Sequence, residues 1–575
     1  MKRFALPLLG VLLAAPTLRA APVSMPDFVR AYEADARSIG AFYDLRWSDA
    51  SLDRHQQLIA DWRARLAALD HEALPASGRI DWLLLRNDLD REEEGLRVQR
   101  ERLQELDELV TFRTVVAELE QARWRGEAVD PAAAATRVEG IGQAIKDVRA
   151  RLEAGRKKDD AEAKQDVKPL KVEPVRALRA ARLADALRTG LKRWFEFYHG
   201  YQPDFSWWVK STHEETAKQL EEYAKFLREE IAGVKGKDED PLLGQPIGRD
   251  ALVRALRLEF IAYSPEEVLA IGERELAWCE AEWKKAAAEM GLGDDWKAAF
   301  DRVKNDFVPP GQQDELVGQV ARDALAFVRA QDFVTVPPLC EETWRMAMIS
   351  PEGLKTIPYA AYSGQEMMVA YARDDMKQAD KLMVMRGNNR YSTRLTVPHE
   401  LIPGHHLQLF VAARENPHRR IFGTPFYIEG WALYCELRLW ELGWPRTPQE
   451  RIGLLFWRAN RAARIVTTVR FHLGQLKPDE MVQYLMDHVG HEKFGATSEV
   501  RRYISDDTPP LYQAAYLLGG RQLHTLRAEW VKPGGWTERQ FNDAVLAQNA
   551  MPIELLRAAL RGEKLPRDTQ PAWKF

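Results

Sequence analysis

The stretch Val397–Phe410 reads VPHELIPGHHLQLF and sets three histidines and a glutamate within eight residues, with apolar side chains on both sides. Twelve histidines are spread over 575 residues, so three this close together need a reason. A glutamate directly after a histidine is how helical zinc hydrolases place a general base beside a metal ligand. Their usual H-E-x-x-H pattern stacks two histidines at i and i+4 on one helical face. That spacing is broken here. Four residues after His399 stands Pro403, and the next histidines are His405 and His406.

The break has a physical reading. Pro403 has no N–H, and its ring would clash with the carbonyl of His399, so a regular helix cannot run through it. Gly404 permits the backbone such a break requires. On a straight helix His399 and His405 would stand about 9 Å apart along the axis and roughly 120° apart around it. A kink at Pro403-Gly404 would bring them to one point. His406 lies nearer the face of His399, but about 10 Å away if the helix is unkinked. Either histidine is therefore open as the second ligand, with His405 preferred.

Working outward, Tyr427–Glu436 reads YIEGWALYCE, a helix expected to open near Glu429-Gly430. Hydrolytic zinc takes three protein ligands and keeps one position for water, and two histidines with one glutamate are a known set. Glu429 follows His405 by two dozen residues, across a segment (ENPHRRIFGTP) with the proline and glycine of a helix–helix connection. Glu436, two turns on, is placed to orient a ligand imidazole. Glu400 is the candidate base, and His406 is left to touch substrate or support a ligand.

HELIPGHHLQ followed by IEGWALYCE resembles the bacterial family catalogued as domain of unknown function 885. It is more remotely similar to the helical metallopeptidases around angiotensin-converting enzyme, thimet oligopeptidase and carboxypeptidase Taq. The resemblance runs from about residue 340 to the C-terminus. It implies a mainly α, multi-helix metallopeptidase-like fold with a small antiparallel sheet beside the metal-binding helix. It further implies one zinc ion per chain held by His399, His405 and Glu429, peptide as substrate, and a downstream tyrosine donating to the oxyanion. Tyr516, in a Y-x-x-G that resembles the family's, is the first choice for that tyrosine, then Tyr512, where relatives usually place glutamine. His472 matches the family, and Tyr503 stands as a further supporting phenol. An aspartate and a glycine common in the family are replaced by Thr468 and Arg470, so no role carries over to the Arg458–His472 helix.

Residues 1–20 carry Lys2, Arg3, an apolar run and a small-residue cleavage point near Ala20-Ala21, the pattern of a secretory signal peptide. No cysteine follows the apolar run to take a lipid, so a secreted or periplasmic protein without a permanent membrane span is expected. Residues 21–250 read as an N-terminal helical region, with Trp82–Val110 showing apolar residues at three- and four-residue intervals beside solvated charges. Residues 251–575 read as the catalytic region, continuous with the first around a shared cleft. Lys157–Pro174 is polar with two prolines, an expected exposed loop, and Gly233–Arg249 is another connector. Ser264 to Glu267 spells a capping box with proline in the first turn.

Residues 357–388 change character: IPYAAYSG, EMMVAYAR and DKLMVMRGN read as short strands whose edge would suit an extended peptide. Three cysteines at unpaired spacings are expected to be buried as small hydrophobes. A net charge of −4 with both signs interleaved excludes nucleic acid as the partner. Two other classes compete with the peptidase: a carbohydrate-active hydrolase using Glu429 and Glu436 as paired acids, and a metal-stabilised binding protein without turnover. The first requires acids facing each other across a cleft.

Overall fold

The computed structural model describes residues 24–156, 167–237, 240–351, 353–355, 357 and 359–575. The expected leader and most of the polar loop after Lys157 lie outside the described residues. The protein is mainly helical, with one small sheet. Proline opens many of the helices: Pro174, Pro203, Pro265, Pro425, Pro448 and Pro478 all stand in a first turn. A missing N–H costs nothing there, and the fixed φ is already helical. The box at Ser264 forms as read, Ser264 and Glu267 exchanging bonds.

Two apolar cores meet at the broken motif. One gathers the N-terminal helices from Met25 to Ile231 with the C-terminal ones, and takes in Ile402, Leu407, Tyr427 and Trp431. The other packs the helix Pro448–His472 (the arginine helix) with Pro265–Glu289 and takes in Val397, Leu401, Phe426 and Leu433. Neighbouring residues of one segment thus point into different cores, each buried aliphatic side chain contributing about 1.5–3 kcal/mol. A buried ion pair ties the seam: Asp81 of helix Ala76–Gln104 accepts from Arg419 Nε at 2.7 Å, in the connector that follows the histidines.

The sheet is mixed rather than antiparallel. β1 (Arg345–Met348) runs parallel to β3 (Glu366–Val369), and β2 (Ala360–Ser363) runs antiparallel to it, in the order β1-β3-β2. Met348 and Ala360 both register with Val369, one from each side, so the central place in the sheet goes to β3. The segment DKLMVMRGN, expected as a strand, lies instead in helix Gln378–Gly387. Leu, Met, Lys and Arg favour helix, and a single β-branched residue, Val384, does not outweigh them. Cys279, Cys340 and Cys435 are buried and free. No described helix is long and apolar enough to cross a membrane.

Candidate metal centre

Helix Arg390–Glu400 ends at the motif, and helix His405–Ala412 begins after a four-residue break. Carbonyls at and before the break lack helical partners, and tryptophans take two of them up. Pro398 cannot serve the Arg394 carbonyl four residues back, and Trp444 Nε1 donates to that oxygen at 3.0 Å. Trp431 Nε1 donates to the Pro403 carbonyl at 2.8 Å. Gly404 has no alternative residue: a Cβ there would stand 1.8 Å from the His399 carbonyl oxygen. The break therefore needs both Gly404 and the tryptophan that follows Glu429 and Gly430.

Its effect is to set the rings of His399 and His405 edge to face, with centroids 4.8 Å apart. Helix Pro425–Glu441 (the Glu429 helix) opens earlier than the sequence suggested, at Pro425 with Thr424 as its cap, so Glu429 sits inside its second turn. Glu429 Oε2 lies 3.2 Å from His405 Nε2 and 3.8 Å from His399 Nε2. Its other oxygen accepts from the Tyr512 hydroxyl at 2.6 Å. His399 Nδ1 donates to Glu436 Oε1 at 2.7 Å, which turns Nε2 toward the cluster. Glu400 is near enough that it, His399 and His405 place ligand atoms within 4.8 Å of one another. All four groups are buried.

Zinc donors stand about 2.0–2.2 Å from the ion, hence roughly 3.3–3.6 Å from each other in a tetrahedron. The distances from Glu429 bracket that range, so His399, His405 and Glu429 fit a divalent ion. Two carboxylates are available to complete the pair of imidazoles. Glu429 is the better ligand, because Tyr512 fixes it while it faces both rings, and Glu400 is then left over beside them. The electrostatics agree with a site built for positive charge. Burial works against a charged His399, yet bonds to Glu429 and Glu436 prevail and raise its pKa to about 9. At Glu429 burial favours the neutral acid, but the His405 ring and the bonds from both imidazoles hold its carboxyl well below the usual range. Glu436 is also lowered against its burial, chiefly by Arg461.

The remaining candidates divide. Tyr516 lies beside the cluster, its ring stacked over His399 with centroids 6.4 Å apart, and burial raises its phenol to about 12. Tyr512 is occupied by Glu429. Helix Tyr512–Trp530 crosses the Glu429 helix so closely that a Cβ on Gly519 would stand 1.9 Å from the Phe426 carbonyl oxygen. That contact sets both phenols against the ligands. His406 is not brought to the cluster: its Nε2 donates to the Cys340 carbonyl at 2.7 Å, and its Nδ1 lies 2.8 Å from the Tyr362 hydroxyl of β2. It ties the sheet to the helix. Tyr503 lies further out, donating to Glu499 and accepting from Arg464 Nε at 3.0 Å. His472 is buried at the end of the arginine helix, about 12 Å along the axis from Arg464, its ring against Phe471 and its nitrogens without a hydrogen-bond partner among the described residues.

A cavity of about 70 Å³ opens beside His399 and Glu400. Its other walls include Arg461, Arg464, Glu499 and Arg502, none of them singled out from the sequence. The arginines at three-residue steps were visible there, and their signal was that a helix buried along nearly its whole length still carried them. Arg464 donates Nε and Nη2 to Glu499 Oε2 at 3.0 and 2.8 Å, and Arg502 donates to Oε1 at 2.8 Å.

The sequence matches the model of the family described as bacterial protein of unknown function (DUF885) over residues 34–560. No curated protein matches it. Among solved structures, the chain is similar to a candidate lipoprotein of unknown function from Shewanella oneidensis, at 15% identity and a TM-score of 0.66. That match covers 94% of this chain and 100% of the other. A candidate lipoprotein from Colwellia psychrerythraea matches at 18% identity and a TM-score of 0.49, covering 74% of this chain and 76% of that one. At these identities the likeness bears on the fold alone.

Proposed function

The chain belongs to that family of bacterial proteins of unknown function, and from the geometry of its site we propose that it is a zinc-dependent hydrolase of peptide bonds in short peptides. One observation carries the reading: two imidazoles and a carboxylate converge at ligand spacing, with a second carboxylate beside them that no ligand role requires. When bound there, zinc would acidify water toward neutrality and polarise a carbonyl.

The chain's own groups supply the rest. Glu400 takes a proton from the attacking water as its oxygen bonds to the scissile carbonyl carbon. It then delivers that proton to the amide nitrogen as the C–N bond breaks, so water is divided between the new acid and the new amine. Tyr516 donates to the carbonyl oxygen as negative charge gathers there. Glu436 holds His399 in the tautomer that presents Nε2, and Tyr512 does the same office for Glu429. The paired-acid alternative loses ground because Glu436 is bound to His399 and Glu429 faces both imidazoles. Residues 1–20 act in this reading as an export signal, placing the enzyme in the periplasm or outside the cell.

Metal analysis joined to peptide hydrolysis tests the proposal. We expect one zinc per chain, activity lost on chelation and restored by zinc, and a Glu400→Gln protein that keeps its metal but not its activity. Metal with no peptide hydrolysis would favour a binding protein, and glycan cleavage that survives chelation would overturn the reading.

A further inference from the structure

The residues that line the cavity beside His399 carry several buried hydrogen-bond donors without an acceptor among the described residues. Arg461 is 6% exposed and lines the cavity. Only its Nη2 has an acceptor, Glu436 Oε1 at a long 3.3 Å, while Nε and Nη1 have none. Arg502 Nε and Trp457 Nε1, also on the wall, are equally without partners among the described residues. Among the described residues, Glu436 Oε2, next to Arg461, is a buried acceptor also left over there. Buried donors are nearly always bonded, so a group of them around one space calls for an acceptor that the chain does not itself provide.

Charge points the same way. The guanidiniums of Arg461, Arg464 and Arg502 stand against the carboxylates of Glu400, Glu436 and Glu499. A divalent ion over Glu429 then leaves one positive charge uncompensated in a buried place, where charge without a partner is costly. Arg461 is separated from the imidazole of His399 by one carboxylate, Glu436. A peptide advances about 3.3–3.6 Å per residue, so one or two residues span from a bond cleaved at the cluster to that guanidinium. A cavity of about 70 Å³ holds the tip of a chain and not its continuation.

We infer that Arg461, with Arg502 and Trp457, forms a carboxylate-binding subsite that takes the free C-terminus of the substrate, making the enzyme one that removes one or two residues from peptide ends. This rests on the hydrolase reading above for the cleavage, and on the cavity alone for the binding. Tetra-alanine, its C-terminal amide, and an amide carrying a glutamate in its last position are suitable probes. We expect wild-type enzyme to cleave the free acid at least about tenfold better in kcat/KM than the plain amide. Calorimetry on the Glu400→Gln protein, with and without chelator, should show the same preference in binding. Arg461→Met should lower kcat/KM for the acid at least tenfold more than for the amide, and Arg461→Lys should recover part of the difference.

Equal handling of acid and amide by the wild type would overturn the subsite, as would an Arg461→Met protein that loses both substrates equally. A glutamate amide as good as the free acid would overturn the terminal assignment. Binding that prefers the acid in a protein that hydrolyses no peptide would overturn the hydrolase and leave the subsite standing.

Discussion

The N-terminal helices and those around His399 are made from similar residues, yet they treat charge in opposite ways. Helix Ala76–Gln104 turns Glu94, Arg97 and Glu101 outward, where Arg97 pairs with both glutamates in water. A charge buried in that half, Asp81, is paired across the seam with Arg419 and serves as a tie. Around the candidate metal centre His399, Glu400, Glu436, Arg461, Arg464 and Glu499 are all buried and all line one cavity. An isolated buried pair fixes one element against another. A collection of them around an opening costs more desolvation than an anchor needs, which marks it as a site.

The sharpest way to break the contrast is Glu400→Gln. Hydrolysis should fall by roughly 10²–10⁴-fold while zinc content stays at one per chain; a protein that loses its metal would make Glu400 a ligand. Next comes Glu499→Gln, which removes the negative charge facing Arg464 and Arg502 and turns one of the two acceptor oxygens into a donor. It should cost about 3–5 kcal/mol in urea unfolding, as expected when one partner of a buried pair is removed. Glu436→Gln should weaken zinc affinity by about 10–100-fold, read by competition with a chromogenic chelator, because His399 loses the carboxylate that orients it.

The N-terminal half offers a pH test. Burial raises the Asp88 carboxyl, beside Tyr32, to about 6. Unfolded, an aspartate ionises near 3.9, so between about pH 4 and 6 the folded protein holds the extra proton. Its contribution is therefore complete below pH 4 and is lost as pH rises through 6. Asp88→Asn should flatten that part of the stability–pH curve and leave the protein up to about 3 kcal/mol more stable at pH 7. The smallest effect is expected on the outer face, where Glu101→Gln should change stability by less than about 0.5 kcal/mol.

Much of this was legible in the chain. His399, Glu400, His405 and Glu429 stand out because catalysis demands particular residue types at intervals that a helix, even a broken one, must respect. The need for a break follows from Pro403 and Gly404, and the capping box at Ser264 from local bonds alone. What the sequence did not disclose depends on contacts between distant segments. Nothing local tells that Trp444 completes the turn at Pro398, that β3 is drawn between β1 and β2, or that His406 is held by Tyr362. The arginines of the helix Pro448–His472 are plain in the chain, but their meaning lies in the cavity that Tyr516 and Glu499 close from elsewhere.

Where the Glu429 helix meets the Tyr516 helix, Gly430 and Gly519 touch backbone to backbone. A single methyl at either position would act as a wedge. Glu429 and the two phenols ride on opposite sides of that joint, so the spacing between them is set by two side chains the protein does without.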